Sequence, residues 1–193
     1  MKQDEYSQQF QYQPTAAIIL ENGDVFWGKG IGAKTFNIGE LCFNTSQTGY
    51  QEILTDPSYS KQIITFTFPH IGICGINDLD VESKKIYASG CIINQPSNHY
   101  SNWRSTSEID SFLKKNNTPC ITSIDTRKIT KLLANKGAIK AAIIHFENND
   151  NNIEFIKRKV SDWEGLENLD LASIVSTKKS YKLKEGIWNI NSN

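Results

Sequence analysis

The sequence lacks net charge, long apolar runs and a secretion signal. Its 21 lysine and arginine residues are balanced by 21 aspartate and glutamate residues. A neutral chain has no long-range attraction to nucleic acid or to an anionic membrane, so neither is expected as a partner. The apolar stretches are short, as in Ala16–Leu20, whereas a membrane span needs about 20 residues. The polar start of the chain has no apolar signal-peptide core.

Cysteine and histidine are scarce and are not spaced as metal ligands. No two of the four cysteines form a C-x-x-C pair, and no two of the three histidines are four residues apart. Zinc and redox motifs are therefore unsupported, and no cofactor or metal is expected on this chain. Without a secretion signal, disulfides are not expected either, which indicates a reduced, cytoplasmic protein. The cysteines are Cys42, Cys74, Cys91 and Cys120.

Apolar periodicity divides the chain into a strand-rich first half and a second half in which strands and helices alternate. Residues 1–14 are predicted to be a disordered polar leader. Asn22-Gly23 predicts a hairpin turn, and a helix over 48–54 is expected to end before Pro57. This organisation indicates an α/β (α+β) domain built in layers. The predicted strands are 16–20, the stretch beginning at Asp24, 40–46, 62–68, 86–94, 118–124, 138–146 and 181–191.

Two predictions concern the glycine-rich stretch and the helices. The stretch "WGKGIGAKT", residues 27–35, does not have the spacing of a phosphate-binding loop, and it is interpreted as a twisted edge strand. Ser105 and Glu108 fit a capping box for one helix, and Asp125 or Thr126 is expected to cap the next, which Gly137 ends. A third helix is predicted over 151–160.

The stretch "FPHIGICGIND", residues 68–78, raises the possibility of a catalytic cysteine. Cys74 lies between glycines, and His145-Phe146-Glu147 matches the H-x-E pair of glutamine-cleaving cysteine hydrolases. A nucleophile elbow, however, needs the second glycine two residues after the cysteine, where Ile76 stands, and a helix directly afterwards. A cysteine hydrolase that uses Cys74 and His145 is therefore a remote alternative.

A long match indicates the family. The stretch "FNTSQTGYQEILTDPSYSKQIITFTFPHIG", residues 43–72, closely resembles the N-terminal domain of the small, glutamine-hydrolysing subunit of carbamoyl phosphate synthetase. The segments "ENGDVFWGKGIGA", "SNWRS" and "DTRKITKLLANKGA" agree in the same order, and the resemblance extends from about Ala16 to about Trp188.

The resemblance implies a domain without catalytic residues, in a three-layer swivelling β/β/α fold over residues 15–175. Residues 176–193 would form a final strand and a linker toward a C-terminal amidotransferase domain, which carries the catalytic cysteine and is expected to be absent here. In this family the small subunit hydrolyses glutamine, and ammonia passes to the large subunit. The large subunit uses ATP, magnesium and bicarbonate to make carbamoyl phosphate for pyrimidine and arginine synthesis. The N-terminal domain docks on the large subunit as part of a heterodimeric ligase.

The same resemblance assigns one substrate-site residue. The serine of the family's D-P-S-Y motif contacts glutamine at the cleft between the two domains, and it corresponds to Ser58. A serine at this place in a turn is otherwise an ordinary turn residue. The loop departs from the family pattern at Ile73 and Ile76, and Gln47 stands where methionine is usual. A stand-alone interaction module that binds the large subunit is the alternative function, with the "DTRKITK" segment as a candidate polar recognition surface.

Overall fold

The computed structural model describes residues 13–97, 99–146, 152–167 and 169–182. Within these ranges, seven strands form a closed barrel in the order β1-β2-β6-β5-β4-β3-β7, and β7 pairs back onto β1. The strands are β1 Ala16–Leu20, β2 Val25–Gly32, β3 Phe36–Asn44, β4 Gln62–Phe66, β5 Gly90–Ile92, β6 Pro119–Thr122 and β7 Ile139–His145. The helices are α1 Tyr50–Thr55, α2 Ile109–Lys115, α3 Thr126–Lys136, α4 Ile153–Asp162 and α5 Leu171–Val175, with a single 3-10 turn at Pro57–Tyr59.

The barrel mixes parallel and antiparallel pairs. The neighbours β3-β4, β4-β5 and β5-β6 are parallel, whereas the pairs that involve β1, β2 or β7 are antiparallel. The carboxyl ends of β3 to β6 therefore lie at one end of the barrel. Because β7 runs antiparallel to β3, with Phe36 opposite Ile144 and Leu41 opposite Ile139, its carboxyl end at His145 lies at the other end.

Alternation of side chains across the sheet separates an inner core from two outer ones. Branched and small residues at alternate strand positions fill the interior, where Ile129 and Leu133 of α3 join them. Outside, α1 and α2 cover β4 to β6 through residues such as Leu54, Phe66 and Leu113. On the opposite side, Ile156 and Val160 of α4 pack on β1 and β7. The fold is thus a closed barrel with helices around it, one of which, α3, contributes Ile129 and Leu133 to the interior.

This architecture corrects two sequence-based predictions. The predicted three-layer β/β/α arrangement shares the mixed α/β composition, but the sheet closes on itself instead of stacking as separate layers. The "WGKGIG" segment is not an edge strand, because β2 is paired with both β1 and β6. Its glycines face the interior: a Cβ at Gly28 would lie 2.4 Å from the Thr122 carbonyl oxygen, and one at Gly30 would lie 2.1 Å from Cδ2 of His145. Glycine here allows the backbone of β2 to lie close to Thr122 of β6 and to the side chain of His145 in β7.

The local signals had mixed outcomes. The Asn-Gly hairpin is confirmed, with Gly23 at φ +86°, and the Asp125 carboxylate caps α3 by accepting from the Lys128 N–H at 2.9 Å. Gly137 ends α3 with a positive φ of 81°. The capping box at Ser105 is wrong, because α2 begins later and Ser105 Oγ donates to the Ser107 carbonyl.

Several element boundaries moved. The strand predicted over 86–94 is shortened to Gly90–Ile92, and the helix predicted over 151–160 begins at Ile153. The strand predicted over 181–191 and the leader over 1–14 lie almost wholly outside the described residues.

Candidate functional site

Ser58 lies on an exposed corner between α1 and β4. Asp56 leaves the helix in an extended conformation, as expected for a residue before proline, and Pro57 starts the 3-10 turn. The Asp56 carboxylate accepts from the Ser58 N–H at 2.8 Å, which fixes the backbone of the serine. The Ser58 side chain faces solvent, and its hydroxyl makes no hydrogen bond to another of the described residues.

Neighbouring contacts make this corner rigid. The Tyr59 hydroxyl accepts from Asn44 Nδ2 at 3.0 Å and so ties the turn to the end of β3. The Ser60 N–H closes the turn on the Pro57 carbonyl at 3.0 Å. Ser58 is therefore an exposed hydroxyl on a fixed backbone, which can both donate to and accept from a polar ligand.

A cavity of about 390 Å³ lies where α1 meets the loop that follows β4. Its wall combines polar side chains with apolar surface, and one side of it is a hydrogen-bonded scaffold. The Gln51 side chain donates to the Asn77 carbonyl at 2.5 Å and accepts from the Asn77 N–H at 3.1 Å. The Tyr50 hydroxyl donates to the Gly75 carbonyl, and burial raises the pKa of Tyr50 well above its usual value. The lining residues are Gln47, Thr48, Gly49, Tyr50, Gln51, Glu52, Phe68, His70, Ile73, Cys74, Gly75, Asn77, Asp80 and Asn102.

An ion pair fixes a second loop against this scaffold. Arg104 Nη2 lies 2.7 Å from Asp80 Oδ1, and the other carboxylate oxygen of Asp80 accepts from Asn77 Nδ2 at 2.8 Å. Partial burial, followed by the neighbouring carboxylate of Asp80, raises the pKa of Glu52. The Asp80 carboxylate thus joins two loops, because it accepts from Asn77 in its own loop and pairs with Arg104 in the other.

The structure does not bring Cys74 and His145 together. Cys74 is exposed on the loop that packs, through Ile71 and Ile76, against the outside of the sheet. His145 is 9% exposed and points into the barrel interior against Gly30, and it is not among the residues that line the cavity. Glu147 lies outside the described residues. The H-x-E coincidence in the sequence therefore does not correspond to a nucleophile with an adjacent base.

The departures from the family pattern have clear structural roles. Ile76 is 4% exposed, joins the outer core, and forms a bridge with Ser107 through its backbone. Ile73 is 43% exposed and lines the cavity, as does the exposed Gln47. The loop around Cys74 is thus anchored by Ile76 and presents Ile73 to solvent.

Sequence reasoning did not single out Gln51 or its pairing with Asn77. Gln51 is 3% exposed, an unusual environment for a glutamine, and lies on the same face of α1 as Leu54. Its helical spacing from Leu54 was the available signal, but the partner at Asn77 is set by the tertiary structure.

Two negative observations apply to the described ranges. No helix there combines the length and the apolar character that crossing a membrane requires. Within the same residues, His, Cys, Asp and Glu side chains do not assemble in groups of three or more that could hold a metal ion.

The fold and these sites describe a closed-barrel domain with an exposed serine after α1 and a cavity between α1 and the loop after β4, and the described residues do not bring Cys74 and His145 together. The family described as carbamoyl-phosphate synthase small chain, CPSase domain, matches residues 18–143, and the chain belongs to that family.

Individual relatives agree with this assignment. The chain is 44% identical over 173 residues to the carbamoyl phosphate synthase small chain of Zymomonas mobilis, covering 90% of this chain and 46% of that protein. It is 47% identical to the small chain of Vibrio cholerae and 46% identical to that of Escherichia coli, each over 176 residues, 91% of this chain and 46% of the relative. The chain thus spans about half the length of the curated relatives it matches.

Proposed function

We propose that this chain is the non-catalytic N-terminal part of the glutamine amidotransferase subunit of carbamoyl phosphate synthetase. The complete cytoplasmic enzyme would make carbamoyl phosphate from glutamine, bicarbonate and ATP, for pyrimidine and arginine synthesis. ATP and magnesium would bind to the large subunit. The observation that carries the proposal is the family match over residues 18–143, which includes the exposed Ser58 corner.

Ser58 would border the glutamine site. Its hydroxyl faces solvent and its backbone is fixed by Asp56, so binding a ligand would require little reordering of the corner. A zwitterionic amino acid offers both a donor and an acceptor to such a hydroxyl. The remaining contacts to glutamine would come from the amidotransferase domain.

Ammonia release from glutamine by this chain alone tests the absence of catalysis. No release is expected, because Cys74 lies on an exposed loop whereas His145 points into the barrel, so the two do not form a nucleophile and its base. Release that a Cys74→Ser variant abolishes would show that Cys74 is a nucleophile and would contradict the proposal. Release that persists in that variant would indicate a contaminating glutaminase, and the measurement would be repeated on repurified chain.

Steady-state kinetics test Ser58 in a subunit that includes the amidotransferase domain, assembled with the large subunit. Ser58→Ala should raise the KM for glutamine roughly tenfold or more, since a hydrogen bond to a charged ligand contributes about 1.5–3 kcal/mol. Ser111→Ala, at an exposed serine on α2, is the matched control and should leave KM unchanged. An unchanged KM in Ser58→Ala would remove the assignment of this residue.

Association with the large subunit tests the docking role. The name of the family, small chain, implies a large chain as partner. Co-elution of this chain with the large subunit at micromolar concentration is expected whether the chain acts as part of an amidotransferase subunit or as a stand-alone interaction module. Ammonia transfer to carbamoyl phosphate in the presence of the amidotransferase domain distinguishes the two.

A further inference from the structure

Helix α3 carries a concentration of positive charge that the neutral composition of the chain does not suggest. Its eleven residues contain four cations and no carboxylate. All four side chains are exposed, and none of them forms a salt bridge within the described residues. We call these residues the α3 basic face; they are Arg127, Lys128, Lys131 and Lys136.

The positions of these charges reduce the stability of the helix itself. Arg127 and Lys128 lie in the first turn, where the helix dipole favours anions. Lys131 is spaced three residues from Lys128 and four from Arg127, so the like charges repel one another along one side of the helix. The buried side of α3 is satisfied by Ile129 and Leu133. The stability of the fold therefore does not account for the basic face.

An amphipathic depression of about 430 Å³ adjoins this face, between α3 and the β1-β2 hairpin. Val25, Phe26 and Leu132 supply apolar surface, while Lys128 and Lys131 supply charge. Lys128 Nζ lies 5.3 Å from the centre of the Phe26 ring, so this cation is held over the apolar floor. Asp24 is the carboxylate among the lining residues, and it already accepts from the Asn22 side chain at 2.7 Å.

From this charge and shape, we infer that the α3 basic face and the adjoining depression form a docking surface for an acidic segment of the large subunit that carries an apolar side chain. This inference rests on the proposed function. The apolar floor and the short basic stretch fit a protein segment better than a nucleic acid, since nucleic acid binding draws on a broad positive potential that a chain without net charge does not supply. Attraction between the exposed cations of α3 and carboxylates of the large subunit would orient the two proteins as they meet, and it would make their rate of association depend on salt.

The test is a binding measurement between the full chain and the isolated large subunit. The double variant Lys128→Glu, Lys131→Glu should raise Kd at least about tenfold, because two attractions become repulsions. The control is Lys84→Glu, Lys115→Glu, which makes the same change in charge at two exposed lysines beside a different depression. That control should change Kd by less than about twofold.

The variant is designed so that a folding defect does not imitate a binding defect. A glutamate at position 128 stands in the first turn of α3, where a negative charge is favourable, and this gain offsets the lost contact between Lys128 and the Phe26 ring. The melting temperature should therefore change little. Lys128→Gln, Lys131→Gln removes the attraction without adding repulsion and should give an intermediate Kd. Raising the salt concentration should weaken the wild-type complex more than the complex of the glutamine variant.

The outcomes separate the inference from the function on which it rests. If wild-type chain does not bind the large subunit, the proposed docking function fails and the inference fails with it. If the wild type binds and the glutamate and glutamine variants of Lys128 and Lys131 bind as well as it does, the α3 basic face is not the docking surface, while the proposed function stands. Salt-sensitive binding of a short DNA duplex that the glutamate variant loses would assign the face to a polyanion and would also overturn the inference.

Discussion

The barrel interior and the loop layer around the cavity are stabilised in different ways. The interior contains residues such as Ile18, Ile63 and Ile143, each 0% exposed, whose contribution depends on apolar surface removed from water. In the loop layer, Gln51 and Asp80 make directed hydrogen bonds to Asn77, and Cys74 is exposed. Alternating apolar residues therefore encode the scaffold, whereas the candidate site depends on hydrogen-bond partners that meet only after folding.

Removing a large side chain from the packed region should have the largest effect on stability. Phe66→Ala should lower the free energy of unfolding by about 3–5 kcal/mol, because the Phe66 side chain is completely buried between the barrel and α1. Urea denaturation measures the loss. Phe43→Ala, on the neighbouring strand and 38% exposed, is the control and should cost about 1 kcal/mol or less. Equal losses would contradict the distinction between packed and exposed regions.

Adding a methyl group where β2 faces the interior should be the next most damaging change. Gly28→Ala would place its Cβ 2.4 Å from the Thr122 carbonyl oxygen and 2.7 Å from Cγ1 of Ile121. A backbone oxygen within a paired strand cannot easily move, so we expect a loss of about 1–3 kcal/mol in thermal or urea unfolding.

Gly23→Asn is the matched control for Gly28→Ala. Gly23 has a positive φ of 86° and open space around it, and asparagine tolerates that conformation. It should cost less than about 1 kcal/mol. If Gly28→Ala were as stable as the wild type, the backbone around Gly28 and Thr122 would have to move apart at little cost, which would contradict this prediction.

His145 should make the barrel sensitive to acid. Burial lowers the pKa of His145 below the value of about 6.5 that a histidine has in the unfolded chain. The folded state therefore binds the imidazole proton more weakly than the unfolded state does. Above about pH 6.5 the imidazole is neutral in both states and the fold keeps its full stability. As the pH falls toward the lower pKa of the folded state, the free energy of unfolding decreases by at most about 1.4 kcal/mol per pH unit. Unfolding free energies measured from pH 7.5 to 5 report this loss.

The difference between wild type and a His145→Gln variant isolates this contribution from those of the carboxylates. The variant should show a flatter dependence on pH than the wild type. Parallel curves for wild type and His145→Gln would show that the buried imidazole does not control acid sensitivity.

Thiol labelling compares the two regions without disturbing either of them. At pH 8, Cys74 should react rapidly with a disulfide reagent because it is exposed, whereas Cys91 and Cys120 should react only on unfolding. Burial raises the pKa of Cys42 to about 12 and also raises the pKa of Cys120, so both remain protonated. Cys74→Ser should remove the fast phase. Fast labelling of two or more thiols in the native chain would mean that the sheet opens readily.

Local sequence signals predicted most strands, a hairpin and a helix start, but they did not predict that the sheet closes into a barrel. Alternating apolar residues located most strands, Asn22-Gly23 located the hairpin, and Asp125 located the start of α3. The capping box at Ser105 failed because the backbone at residues 106 and 107 pairs with Ile76 instead of entering the helix. The glycines of β2 suggested an edge strand, but pairing between β2 and β6 is a long-range contact that composition does not reveal.

The candidate site divides in the same way. The sequence alone determined the turn at Asp56-Pro57-Ser58, since proline restricts the residue before it and a carboxylate caps the next N–H, and it determined the long motif that indicated the family. Only the tertiary structure decided that His145 points into the barrel while Cys74 remains outside it, and that Gln51 pairs with Asn77. The physical reason is range: turns and caps depend on neighbours within a few residues, whereas barrel closure and loop contacts depend on which distant strands meet and on which face each side chain then points.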